Sequence, residues 1–242
     1  MILSGCPILE FLKLDYCDDD LRVLDLRNSL RLRTLEVIRP FFSGHPSQVQ
    51  IVAPHVRCLK LENSLSLCTL VDLSSLAEAK LYNSSHRLQS NIHDPLGVTV
   101  QKMAEMFEKL KNVEKLTFGS NFLKNLSLPE LRSVPFPMFK IKALTLETLF
   151  AEDGYVIPAA IEKLLQHSPD LKKLTLNTRT PNTNPILWRK SRWEAELKHM
   201  ATSIELLVLS FKYDTEFNLR YKSGMAYYCV FDIPLYSVFF TK

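Results

Sequence analysis

Glycine is scarce in this chain, at 6 residues in 242, and the six stand singly. No G-x-G-x-x-G, P-loop or G-x-S-x-G can be built from them, which excludes the usual phosphate cradles and the hydrolase nucleophile elbow. The five cysteines, Cys6, Cys17, Cys58, Cys68 and Cys229, form no C-x-x-C pair. Their odd number and irregular spacing argue against a secreted disulfide framework and leave reduced thiols as the expectation. The six histidines form neither H-E-x-x-H nor a Cys/His cluster, so neither a metal nor any other cofactor is expected. Cys17-Asp-Asp-Asp20 lacks the further spaced ligands of a calcium loop and reads as a solvated turn.

Long apolar runs are missing as well. Met225–Phe240 is the most apolar stretch, but it is too short to span a bilayer and contains Asp232 and Pro234. The first residues carry no basic cluster, and Gly5 and Pro7 interrupt their apolar run before Glu10, which excludes a signal peptide. A soluble protein of the cytoplasm or nucleus, without membrane association, is the expectation. The net charge of +4 is too mild to imply nucleic acid. Trp188-Arg-Lys-Ser-Arg-Trp193 is an isolated basic and aromatic stretch, and Trp193 suits the apolar side of a helix better than a base-stacking platform. No nucleic-acid partner and no enzymatic activity are expected.

What the chain does contain is one short pattern, L-x-x-L-x-L, repeated eight times. Leu9, Leu12, Leu14 and Cys17 extend it to L-x-x-L-x-L-x-x-C. Val113, Leu116, Phe118, Asn121 and Leu123 extend it to L-x-x-L-x-L-x-x-N-x-L with apolar equivalents. The other copies begin at Leu32, Val56, Leu76, Ile141, Leu171 and Ile204. This is the signature of an α/β leucine-rich repeat solenoid, curved, with a parallel inner sheet and strands and helices on the convex side. The early repeats are short, and Leu21–Leu26 and Val49–Val52 predict strands on the return path. The later repeats are longer and predict helices over Val98–Leu110, from near Pro158 to Ser168-Pro169, and around Arg192–Ala201. Residues 1–217 are read as the solenoid and 218–242 as a divergent tail.

Strand side chains alternate, so with Leu12 and Leu14 inward, Phe11, Lys13 and Asp15 face out on the inner sheet. Carrying that register forward predicts a central row of Lys13, Glu36, Lys60, Lys80, Thr117, Thr145, Thr175 and Val208. One flanking row holds Phe11, Thr34, Cys58, Glu78, Lys115, Ala143, Lys173 and Leu206. The other holds Asp15, Ile38, Glu62, Tyr82, Gly119, Glu147, Asn177 and Ser210. Such a mixed, charged surface suits a protein partner, and Lys13, Glu36, Lys60, Glu62, Lys80, Tyr82 and Lys115 are the predicted contact residues. A small-molecule or phosphate sensor is the alternative. It would need a convergent basic pocket, and Glu36, Glu62 and Glu78 interleave with Lys13, Lys60 and Lys80 and oppose their field. A truncated product without retained function is the remaining reading.

Ser4-Gly-Cys-Pro-Ile-Leu-Glu-Phe-Leu-Lys-Leu14 resembles the phrase that opens the repeats of plant F-box/LRR-repeat proteins. Leu32-Arg-Thr-Leu-Glu-Val37, Ile51-Val-Ala-Pro-His-Val-Arg-Cys-Leu-Lys-Leu61 and Leu73-Ser-Ser-Leu-Ala-Glu-Ala-Lys-Leu81 resemble the phrases that follow there. The resemblance runs from about Met1 to Leu209. It implies a substrate receptor of an SCF-type ubiquitin ligase, in which an F-box holds a Skp-type adaptor and the repeats capture the protein to be ubiquitinated. The L-P-x-x-x-L and R-W phrases of an F-box do not stand in this sequence, and no polar cap precedes Leu9. The sequence is therefore expected to correspond to the later part of a longer protein. Skp-type adaptor and cullin are expected partners only if a longer form carries an upstream F-box.

Overall fold

The computed structural model describes residues 7–15, 21–38, 48–63, 68–82, 96–119, 136–149, 159–180, 206–213 and 236–241. In chain order the first elements are β1 (Phe11–Asp15), β2 (Val23–Asp25), β3 (Thr34–Ile38), β4 (Val49–Val52), β5 (Cys58–Glu62), β6 (Cys68–Asp72) and β7 (Glu78–Tyr82). Then come α1 (Leu96–Leu110), β8 (Lys115–Phe118), β9 (Ala143–Leu149), α2 (Ala159–Gln166), β10 (Lys173–Thr180), β11 (Leu206–Tyr213) and β12 (Tyr236–Thr241).

Eight of these strands carry the eight repeats, and each begins two residues after its repeat start. They form one sheet in the order β1-β3-β5-β7-β8-β9-β10-β11, with every neighbouring pair parallel. Two local devices enforce the common register. Leu32, Val56, Leu76, Val113 and Leu171 each donate the backbone amide to the carbonyl three residues back, so the same tight turn precedes β3, β5, β7, β8 and β10. The following residues then form a ladder from repeat to repeat: Arg33 to Glu10, Arg57 to Arg33, Ala77 to Arg57, Glu114 to Ala77, Lys142 to Glu114 and Lys172 to Lys142, at 2.8–3.0 Å. Parallel neighbours locked at their first residue stay in step for the length of the strand.

The alternating leucines drive burial. Leu35, Leu59, Leu144 and Leu174 are 0% exposed, and their i+2 neighbours Val37, Leu61, Leu146 and Leu176 are also buried. In the first repeat Leu12 and Leu14 are only partly buried, while Ile8 is 72% and Phe11 50% exposed. In the short repeats the core is closed by a second parallel sheet, β2-β4-β6, which contributes Leu24, Ile51 and Leu70. β6 was not legible as a strand in the sequence. The carboxylates of Asp25 and Asp72, which end β2 and β6, each accept the backbone amide two residues on, from Arg27 and Ser74, at 3.1 Å. These Asx turns redirect the chain toward the next inner strand.

In the longer repeats helices close the core. Met103, Met106, Phe107 and Leu110 line the buried side of α1 at helical spacing. Lys109 Nζ donates to the Val71 carbonyl at 3.1 Å, tying α1 to β6 where the outer layer changes from strand to helix. Phe107 sits at the centre of an aromatic cluster, with ring centroids 6.4 Å from Phe118, 5.0 Å from Phe136 and 6.1 Å from Phe139. α2 buries Leu164 and Leu165, and the buried Ser168 hydroxyl donates to the Leu164 carbonyl at 2.7 Å just before Pro169.

The expected helices at 98–110 and near Pro158 are thus present, whereas the one at Arg192–Ala201 falls outside the described residues. Within residues 218–242, Tyr236–Thr241 forms β12, which joins β11 as the one antiparallel neighbour in the large sheet among the described strands. No helix among the described residues is long and apolar enough to cross a membrane.

Candidate functional site

One side of the large sheet packs into the core, and the other is its open face. Its central row runs Lys13, Glu36, Lys60, Lys80, Thr117, Thr145, Thr175 and Val208, each paired in register with the next. Phe11, Thr34, Cys58, Glu78, Lys115, Ala143, Lys173 and Leu206 form the row at the strand starts, again partner by partner. On the other flank Asp15, Ile38, Glu62 and Tyr82 are in register, as are Glu147, Asn177 and Ser210. Gly119 follows the end of β8, and its amide donates to the Leu81 carbonyl at 2.8 Å. All seven predicted contact residues, Lys13, Glu36, Lys60, Glu62, Lys80, Tyr82 and Lys115, therefore stand on this one face, each exposed or half-buried.

Residues two apart on a strand share a face about 7 Å apart, close enough for a lysine to bend back to a carboxylate. Three lysines do so. Lys13 Nζ lies 2.8 Å from Asp15, Lys80 Nζ 2.9 Å from Glu78 and Lys60 Nζ 3.8 Å from Glu62. The hydrogen bond that Lys13 donates to Asp15 raises its ammonium above the ordinary pKa, and the one that Lys80 donates to Glu78 does the same there. Such solvated pairs add little to stability. Their consequence is the charge pattern: the first half of the face is internally compensated. No convergent basic pocket arises from Lys13, Lys60 and Lys80, because each ammonium already has a carboxylate beside it.

The middle of the face holds an arrangement that sequence reasoning missed. Lys60 Nζ lies 5.5 Å from the centroid of the Tyr82 ring. The Tyr82 hydroxyl donates to Glu147 Oε1 at 3.4 Å, so the side chain reaches from β7 past β8 to β9. It can do so because position 119 is glycine: a Cβ there would stand 2.5 Å from Tyr82 Cδ1. The available signal was a glycine at a strand end in the same row as a tyrosine, since such a glycine often marks a close approach.

Cys58 lies on the same face. Burial, reinforced by Glu78, pushes its thiol above the usual range, which keeps it neutral and poorly nucleophilic. No cluster of His, Cys, Asp and Glu that could hold a metal occurs among the described residues. In the second half of the face the threonines Thr117, Thr145 and Thr175 stand side by side between Lys115 and Lys173 on one flank and Glu147 and Asn177 on the other. What these groups can do chemically is donate and accept hydrogen bonds and ion pairs along an extended surface.

Comparison with known proteins agrees with this architecture. The F-box/LRR-repeat protein At3g03360 of Arabidopsis thaliana is 50% identical over 182 residues, which covers 73% of this chain and 35% of that protein. A protein of the same species with a provisional F-box/LRR-repeat name, At3g18150, is 48% identical over 236 residues, 87% of this chain and 50% of its own length. The "Probable F-box protein At1g60180", also from Arabidopsis thaliana, is 43% identical over 235 residues, 87% of this chain and 70% of its own length. The chain spans about half the length, or less, of the first two. No family model matches the sequence. No solved structure matches it either.

Proposed function

The chain belongs to the plant F-box/LRR-repeat proteins, and we propose that it is a protein-binding module, the target-recognition part of an SCF-type ubiquitin ligase receptor. It binds a protein through the open face of the large sheet and carries out no chemistry of its own. The observation that carries this reading is the in-register open face itself. Eight parallel strands run in one register, and from β1 to β10 this sets polar and charged residues such as Lys13, Glu36, Lys60, Lys80, Thr117, Thr145 and Thr175 in a continuous row.

Charged rows of this kind select a partner by complementarity more than they add affinity. Contact with a Skp-type adaptor and cullin belongs, in this reading, to an F-box in a longer form. Residues 1–217 act as the recognition solenoid in this reading, and the divergent 218–242 tail adds β12 to the edge of its sheet.

Affinity capture from plant extract tests the proposal, comparing this chain with a form extended upstream by its own genomic coding sequence. The expected result is that both forms retain one common protein and the extended form alone also retains the adaptor and cullin. An extension that retains neither adaptor nor cullin would remove the ubiquitin-ligase role. Absence of any shared protein would remove the binding role.

A further inference from the structure

The lysines of the open face fall into two groups. Lys13, Lys60 and Lys80 each lie within 4 Å of a carboxylate on their own strand. Lys115 and Lys173, at the starts of β8 and β10, are exposed and make no ion pair among the described residues. Their register partner on β9, between them, is Ala143, which leaves the space from one ammonium to the other uncrowded. The next row in from this gap is the threonine series Thr117, Thr145 and Thr175. The carboxylate beyond it, Glu147, is engaged by the Tyr82 hydroxyl at 3.4 Å.

From these observations we infer that the second half of the open face docks an extended, acidic segment of the protein partner, with its carboxylates held by Lys115 and Lys173. This rests on the protein-binding role proposed above and names the chemistry of its partner. Strands two apart in a sheet place Lys115 and Lys173 about 10 Å from each other at the backbone. An extended segment with acidic residues at alternate positions puts its carboxylates on one face about 7 Å apart. The flexible four-carbon stems of the two lysines converge over Ala143 to reach that spacing. The three threonine hydroxyls, each able to donate and accept, then serve the backbone of the segment as it crosses the strands. The first half of the face cannot offer this. There an incoming carboxylate would have to displace Asp15, Glu62 or Glu78 from its lysine.

The test is fluorescence anisotropy with a short labelled peptide of alternating Glu and Ser, its Gln–Ser counterpart, and the full chain at low salt. The double variant Lys115→Gln, Lys173→Gln is compared with Arg31→Gln, Arg57→Gln, which removes the same charge from exposed positions off this face. Circular dichroism confirms that each variant is folded. The Glu–Ser peptide is expected to bind more tightly than the Gln–Ser peptide and to lose roughly fivefold to tenfold in affinity on the lysine variant only. Equal binding of the two peptides overturns the acidic chemistry while leaving the open-face reading to the extract capture. Preferential binding of the Glu–Ser peptide that survives in the lysine variant, or falls equally in the arginine variant, overturns the location.

Discussion

The Tyr82 ring occupies the space that a side chain at Gly119 would need, with Cδ1 only 2.5 Å from where a Cβ would stand. Gly119→Ala is expected to push the ring aside and stretch its hydrogen bond to Glu147. The cost is that of overpacking, about 1–3 kcal/mol. Chemical denaturation of the four members of the Tyr82→Ala, Gly119→Ala cycle measures it. In the Tyr82→Ala background the alanine should cost almost nothing, and an undiminished cost there would show that the glycine is needed for another reason.

Leu59 lies on the inward side of β5 and is 0% exposed, whereas Leu12, its equivalent in the first repeat, is only partly buried. Leu59→Ala should therefore cost about 2–5 kcal/mol in unfolding free energy. Leu12→Ala should cost clearly less, because less surface leaves contact and solvent already reaches the site. Urea unfolding of both variants decides it, and equal losses would contradict the burial gradient along the solenoid.

Phe107 joins α1 to β8 and to the segment around Phe136 and Phe139. Phe107→Ala is expected to destabilise by about 3–5 kcal/mol. Phe107→Leu, which keeps most of the volume, should recover most of that loss. A near-neutral alanine variant in a thermal melt would mean that the helix does not close this part of the core.

How much of this was legible beforehand divides along a physical line. The eight inner strands were readable because each repeat restates its leucines and each strand starts at the same offset, as Leu32 with Thr34 and Leu171 with Lys173 illustrate. The rows of the open face followed from that offset and the two-residue alternation. β6 was hidden because its buried Leu70 lacks the apolar i+2 neighbour that Leu26 gives Leu24 around β2. β12 was hidden because antiparallel pairing with β11 is a long-range choice outside the repeat grammar. The aromatic cluster drew Phe136 and Phe139 from a stretch without strand or helix periodicity. Of the candidate site, the positions were legible, but the pairing of each lysine depended on side-chain geometry that spacing alone does not specify.

Arg27 holds the Asp25 carboxyl down to about 2, chiefly through its guanidinium hydrogen bonds and then through its backbone amide. A carboxyl whose folded pKa lies below its unfolded value of 3.8 stabilises the fold above that value. The contribution fades as pH falls from 3.8 toward about 2. Native chain and Arg27→Gln should therefore differ in urea midpoint at neutral pH, and the gap should narrow across that acid window. A gap independent of pH would contradict the pairing.

Charge reversal on the central row of the open face decides whether the large sheet holds the protein partner there. Capture of the partner from plant extract is compared between the native chain and the double variant Lys60→Glu, Lys80→Glu, both shown to be folded by circular dichroism and a cooperative melt. The expected result is a marked loss of the captured protein, because the variant sets like charges beside Glu62 and Glu78 and turns the internally compensated first half of the face negative. Undiminished capture by the folded variant would contradict it and move the binding surface elsewhere.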